Sequence, residues 1–259
     1  MLCYCCPFFR DWQQFMDRST IIELVRKAKH RQSLPTFLTS RHNMEFLVAS
    51  SPPTRQIAPV FATLIGKFQY PSTEHINAEL KQLILERERI TPSDDFANLG
   101  GWHSPSDFLE WPGNAVATLR NWISDNLGQM TAATYQLPEV QGRPMPGRGG
   151  FMVHAWANVS RRGNYHRMHN HPSSAWSGCY YVTSSSNPNS LAGVLELYDP
   201  RPFTEMIFTP GTPYGQRMLV RPVPGLMVLF PSWLYHFVHP SDSDEPRISI
   251  AFNANWKSQ

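Results

Sequence analysis

After residue 150 the apolar and polar positions alternate in short runs, and no run sustains the 3.6-residue period of a helix. FMVHAWANV, AWSGCYYVTS, AGVLELYD, EMIFTP, GQRMLVRP, LMVLFPS, HFVHP and RISIAFNA follow one another with turn residues between them. About eight short strands at that spacing predict an all-β sandwich or barrel. Upstream the period changes. Ile76, Leu80, Leu83 and Ile84 form a stripe that predicts a helix over 73–89, opened by Pro71, Ser72 and Thr73. Val116, Leu119, Ile123 and Leu127 predict a second helix over 114–127, with Asn114 as its cap. IAPVFATLIGKFQY reads as a strand or a strand pair, and QGRPMPGRGG at 141–150 as a connector. Two helices that precede such a barrel are expected to pack on its outside.

Residues 1–55 read as an extension, and 56–259 as the main domain with both helices. Within the extension, Thr20 to Glu23 makes a capping box ahead of a short amphipathic helix carrying Ile21, Ile22, Leu24, Val25 and Ala28.

Composition narrows the class without naming it. The chain has 259 residues, 41% hydrophobic and 17% charged, which suits one substantial core with or without a small appendage. Its 23 prolines fall between short apolar runs, as tight β connections require. The net charge of +3 is not gathered into any basic run, so nucleic acid is not implied. No segment approaches the roughly 20 apolar residues of a membrane span, and no secretory pattern opens the chain. The cysteines are Cys3, Cys5, Cys6 and Cys179, which is not a disulfide framework; a reducing, cytoplasmic setting is expected. The CYCC cluster suits a metal or a lipid, but a frayed terminus explains it more simply.

Candidate chemistry lies between Gly163 and Asn253. His169 and His171 stand two apart, so on an extended strand both rings leave the same face and can offer two nitrogens to one metal. His236 follows a buried-strand run, Leu226 to Phe230. Arg247 comes eleven residues after His236, with Ser249 two further along the same face. A guanidinium fork with a neighbouring hydroxyl is suited to a carboxylate. The competing reading pairs Arg247 at the surface with Asp242, Asp244 or Glu245. Parity turns His239 away from His236, toward the surface, and His166 sits in the approach loop, where it could contact substrate but solvent is the simpler expectation. Asn158 and Tyr181 are candidates to point into the barrel, with core packing or a satisfied hydrogen bond as the competing reading; Tyr180 and Tyr181 occupy opposite faces, and parity alone does not say which is inward. Trp233 is read as a pocket wall or a core aromatic, and Asn253 as closing one end of the barrel.

Two resemblances follow from these residues. G-x5-H-x-H from Gly163, with the run from Gly225 to His236, is similar to the two-part metal signature of cupins, with Trp233 where a glycine is usual. H-x10-R-x-S resembles the distal half of the iron(II)- and 2-oxoglutarate-dependent oxygenases. NLGGWHS, WANVSRRGNYHRMHNHPSSAWSGCYYV, LELYDPR, VLFPSWLYHFVHP and RISIAFN resemble, more narrowly, a conserved hypothetical family of such oxygenases. That resemblance covers about Pro59 to Asn255. It implies a double-stranded β-helix (a cupin-like jelly roll), an iron(II) centre, 2-oxoglutarate and O2 as cosubstrates, and Arg247 with Ser249 on the distal carboxylate. The usual triad is two histidines and a carboxylate, whereas His171 stands here in the carboxylate's place. Three arrangements therefore stay open: iron on His169, His171 and His236; Asp199 of LYDPR swung in as the carboxylate; or a metal without oxygen chemistry. The expected activity is hydroxylation of an unidentified substrate. Its rivals are a three-histidine cupin dioxygenase that does not use 2-oxoglutarate, with Arg247 exposed, and a non-catalytic metal or small-molecule binding module.

Overall fold

A computed structural model describes residues 60–258 apart from 95, 145–148, 185–188, 208–209 and 211–216. The expected helix near Ile21 and the cysteines Cys3, Cys5 and Cys6 lie outside the described residues.

Among the described residues, eleven strands form two antiparallel sheets. The larger has six strands in the order β1 (Gly66–Gln69), β9 (Leu226–Pro231), β6 (Trp176–Tyr181), β11 (Arg247–Ser258), β4 (Gly149–Ser160) and β3 (Trp102–His103). The smaller has five, in the order β2 (Asn98–Leu99), β5 (Tyr165–His169), β10 (His236–Val238), β7 (Leu195–Leu197) and β8 (Met218–Val220). Two sheets whose successive strands cross between them make the jelly-roll form of a double-stranded β-helix. The described residues are therefore mainly β with two α-helices, as the alternation predicts.

The helices are α1 (Glu74–Ile90) and α2 (Asn114–Thr134), the second running on past the expected Leu127. Asn114 is not its cap. Gly113 holds that position, and the Glu79 carboxylate of α1 accepts from the Ala115 backbone N–H, at 3.1 Å, to satisfy the helix start. Two other expectations are corrected. Among the described residues of the 57–70 run only Gly66–Gln69 is a strand, and Thr204–Met206, which overlaps the start of EMIFTP, is a 3-10 turn rather than a strand.

Strand period then decides what faces what. In β11, Ile248, Ile250, Phe252 and Ala254 turn outward and are fully buried with Leu80 and Ile84 of α1 and Leu119, Ile123 and Leu127 of α2. Arg247, Ser249, Ala251 and Asn253 alternate with them and face the other sheet. Strands β4 and β6 repeat the pattern: Ala157, Val159 and Tyr180 pack toward the helices, while Asn158, Cys179 and Tyr181 face the interior between the sheets. A second apolar cluster (Tyr181, Leu195, Leu197, Val220, Val228, Phe230 and Leu234) closes one end of that interior. No helix among the described residues is long and apolar enough to cross a membrane.

Candidate metal and cosubstrate site

His169 ends β5, His171 follows in the next loop, and His236 opens β10. Their positions are fixed by backbone pairing: His236 lies directly opposite His169, and the His171 N–H donates to the Ser232 carbonyl at 2.9 Å. The ring centroids are 4.3 Å apart for His169 and His236, 5.0 Å for His169 and His171, and 5.1 Å for His171 and His236. One nitrogen from each ring lies within 4.8 Å of the others, close enough for the three to be offered to one ion. It is the one such group among the described residues.

Hydrogen bonds aim two of these rings. His169 Nδ1 lies 2.7 Å from the Arg167 carbonyl and His236 Nδ1 lies 2.9 Å from the Leu234 carbonyl. A carbonyl can only accept, so each Nδ1 carries the proton and each Nε2 keeps its lone pair. The Asn253 amide is 3.3 Å from His171 Nδ1 and is itself held by the Ser177 hydroxyl at 2.7 Å. Burial pushes His236 down to about 3 and His171 down to about 4, with the neighbouring rings adding to the effect, and lowers His169 as well. All three are therefore neutral at ordinary pH, the form that binds metal.

Arg247 sits at the inner end of the same cavity, 2% exposed. Its Nε donates to the Gly193 carbonyl at 3.1 Å and Nη1 to Ser249 Oγ at 3.3 Å. Gly193 has φ +67, and a Cβ there would lie 2.9 Å from Arg247 Cδ, so only glycine permits this approach. Among the described residues no carboxylate pairs with Arg247. Around it, Asn158 Oδ1 and the Tyr181 hydroxyl are buried without a hydrogen-bond partner. The Tyr181 ring lies 5.4 Å below the guanidinium carbon. A buried cation without a counter-charge and a buried hydroxyl without a partner are costly unless an anion joins them, whereas the Asn158 oxygen, an acceptor, needs a donor. The cavity, about 60 Å³, contains Asn158, Cys179, Tyr181, Arg247 and Ser249 together with the three histidines.

The residues singled out by spacing thus share one cavity, and others are relocated. His166 is not in solvent: it lines this cavity, and burial pushes it down to about 3. A register shift between His236 and Val238 opposes one residue of β10, Phe237, to two of β5, Arg167 and Met168, so His166 and His169 both reach the interior despite their odd separation. His239 does face away from His236, yet it is not a free surface residue; its Nε2 lies 2.9 Å from the buried Glu196 carboxylate. Trp233 is half-exposed and absent from the cavity wall. Asp199 is held by the Arg201 guanidinium at 2.6 Å and by the Arg201 N–H at 3.0 Å, and lines a different pocket, so it does not complete the histidine cluster. Trp156, which no spacing argument selects, stands between the cavity and a wider cleft at its mouth.

Residues 154–253 match the family described as "Putative 2OG-Fe(II) oxygenase". That span contains all three histidines, Arg247, Ser249, Asn158, Tyr181 and Asn253. No curated protein matches the chain. Among solved structures, a prolyl-4-hydroxylase of Pseudomonas putida is 16% identical and covers 75% of this chain and 92% of its own, with a TM-score of 0.50. A prolyl hydroxylase of Trichoplax adhaerens, solved with a hypoxia-inducible-factor peptide, is 12% identical over 74% of this chain and 83% of its own, also at 0.50. Both likenesses are of fold.

Proposed function

We propose that this chain, whose residues 154–253 form an iron(II)- and 2-oxoglutarate-dependent oxygenase domain, holds its iron on His169, His171 and His236 and its cosubstrate on Arg247. The observation that carries this reading is the buried, unpaired Arg247 in one cavity with three neutral histidines. A dicarboxylate with a 2-oxo acid at one end answers both halves of that cavity. Its distal carboxylate takes the free guanidinium donors and the Ser249 hydroxyl, while Tyr181 supplies a further O–H donor. Three neutral ligands leave the full charge of the ion to attract the anionic 2-oxo acid end. His169 and His236 are kept rigid by their Nδ1–H bonds to carbonyls, so Nε2 is presented without rotational search. The apolar Leu195, Phe230 and Val238 keep water from the cavity, which strengthens each polar contact inside it. When bound, iron and the 2-oxo acid supply oxygen activation and C–H cleavage, with 2-oxoglutarate leaving as succinate and carbon dioxide. The product is a hydroxylated substrate.

A three-histidine dioxygenase that dispenses with 2-oxoglutarate would have no use for a buried guanidinium, and the 2% exposure of Arg247 counts against it. The setting is cytoplasmic on this reading, which suits the free thiol of Cys179 inside the cavity. The test is anaerobic addition of iron(II) and then 2-oxoglutarate while recording the visible spectrum. A weak charge-transfer band, absent in Arg247→Ala and in His236→Ala, is the expected result. Iron binding without any band sinks the cosubstrate assignment, and no iron binding sinks the metal assignment.

A further inference from the structure

Above the histidines the cavity opens into a cleft of about 470 Å³, the size of a site for a small organic molecule. One wall is a file of rings that ends at the candidate metal ligands. Phe96 and His103 have ring centroids 5.0 Å apart, His103 and Trp156 stack at 5.4 Å with planes 17° apart, and Trp156 lies 5.8 Å from His171. Burial lowers His103, so this ring too is neutral at ordinary pH. Met168 and Phe96 are half-exposed or more at the mouth. A continuous apolar and aromatic wall favours a ring or hydrocarbon body lying flat against it.

The charge of the mouth is one-sided. Arg167 lines the cleft, exposed, with Nη2 donating to the Phe96 carbonyl at 2.7 Å. That bond pins one edge of the guanidinium and leaves its other donors without a carboxylate partner among the described residues. No described residue lining the cleft is acidic. A cation entering here meets Arg167 with no acidic residue among the described lining to offset it, whereas an anion finds a fork already oriented.

We propose that the cleft selects a carboxylate-bearing molecule with an apolar ring, its ring on Trp156 and its carboxylate on Arg167. The assignment rests on the reading that this cleft delivers the primary substrate to the three-histidine site. The protein then has two anion anchors of unlike character: Arg247, buried, for the cosubstrate, and Arg167, exposed, for the substrate.

Three probes of one shape test it: 3-phenylpropanoate, 3-phenylpropanamide and 3-phenylpropylamine. Binding is measured by saturation-transfer NMR on the full chain without iron or 2-oxoglutarate, so failure here is separate from failure of the oxygenase reading. The propanoate should bind about tenfold more tightly than the amide, and the amine not detectably. Arg167→Gln should abolish the preference of propanoate over amide, Trp156→Ala should weaken both, and Arg247→Ala should alter neither. Arg167 is exposed, so its variant folds and remains informative. Equal binding of the amine overturns the proposal. So does a propanoate preference that survives Arg167→Gln and is lost in Arg247→Ala, because the probe would then occupy the cosubstrate cavity.

Discussion

The two faces of the six-stranded sheet are made by alternate residues of the same strands, and they obey opposite rules. Toward the helices, β11 presents Ile248, Ile250, Phe252 and Ala254, all fully buried and all apolar. Toward the interior it presents Arg247, Ser249, Ala251 and Asn253, and its neighbours add Asn158, Cys179 and Tyr181. The outer face is packed to stabilise the fold. The inner face carries a buried charge and polar atoms without partners, which stabilise nothing until a ligand arrives. One face holds the sheet in place so that the other can remain unsatisfied.

The largest effect should come from the outer face. Phe252 packs against Gly178, where even a Cβ would lie 2.3 Å from the Phe252 ring. Phe252→Ala removes a fully buried aromatic and should cost about 3–5 kcal/mol of stability. Urea unfolding reads that loss, while cosubstrate binding by the molecules that stay folded should be unchanged. If the variant instead lost binding with normal stability, the division of labour between the faces would be wrong.

Arg247→Met is the converse. Replacing a buried guanidinium that has no counter-charge by an unbranched apolar side chain should leave stability little changed, because relief of the buried charge offsets the lost hydrogen bonds to the Gly193 carbonyl and Ser249. It should cost 2-oxoglutarate about 2–5 kcal/mol of binding. Calorimetric titration of metal-loaded protein measures the second, and thermal unfolding the first. A marked drop in melting temperature would mean that Arg247 is structural.

The interior also sets a pH dependence that the outer face lacks. In metal-free protein, burial holds His236 at about 3 and His171 at about 4, below the ordinary 6.5. Between those values the unfolded chain binds more protons than the folded one. Stability is therefore full above 6.5 and falls as pH drops toward 4, by up to about 1.4 kcal/mol per pH unit for each such ring. His236→Leu should flatten the slope of the urea midpoint between pH 7 and pH 5; an unchanged slope would locate the protons elsewhere.

The outer face was legible in the sequence because it needs only period 2 and apolarity. The inner face was legible where side chains share a strand, as Arg247 and Ser249 do, or stand at a spacing such as that of His236 and Arg247. What spacing and parity leave out depends on pairing between distant strands. The shift between β5 and β10 that turns His166 inward exists only once those strands meet. The Glu196 carboxylate beside His239, and the Asn253 amide beside His171, join residues 43 and 82 positions apart. The ring file from Phe96 through His103 to Trp156 likewise forms only when β3 pairs with β4.

Adjacent tyrosines give the finest test of the comparison. Tyr180 turns toward the helices, where its hydroxyl donates to Asn77 Oδ1 at 2.7 Å. Tyr181 turns inward, and its hydroxyl lies beside Cys179 and Arg247 with no hydrogen-bond partner. Tyr180→Phe leaves the buried Asn77 carbonyl unpaired and should lower stability by about 1–3 kcal/mol, with cosubstrate affinity untouched. Tyr181→Phe strands nothing in the free protein, so stability should hold or rise slightly. Its cost falls on the bound state, where a donor to the distal carboxylate disappears, and 2-oxoglutarate should bind about five- to tenfold more weakly. Unfolding midpoints and titrations on the two variants give four numbers, and the crossed pattern is the one that assigns each face its role. If Tyr181→Phe bound 2-oxoglutarate like the parent, the unsatisfied hydroxyl would have no part in anion recognition, and Arg247 with Ser249 would have to hold the carboxylate alone.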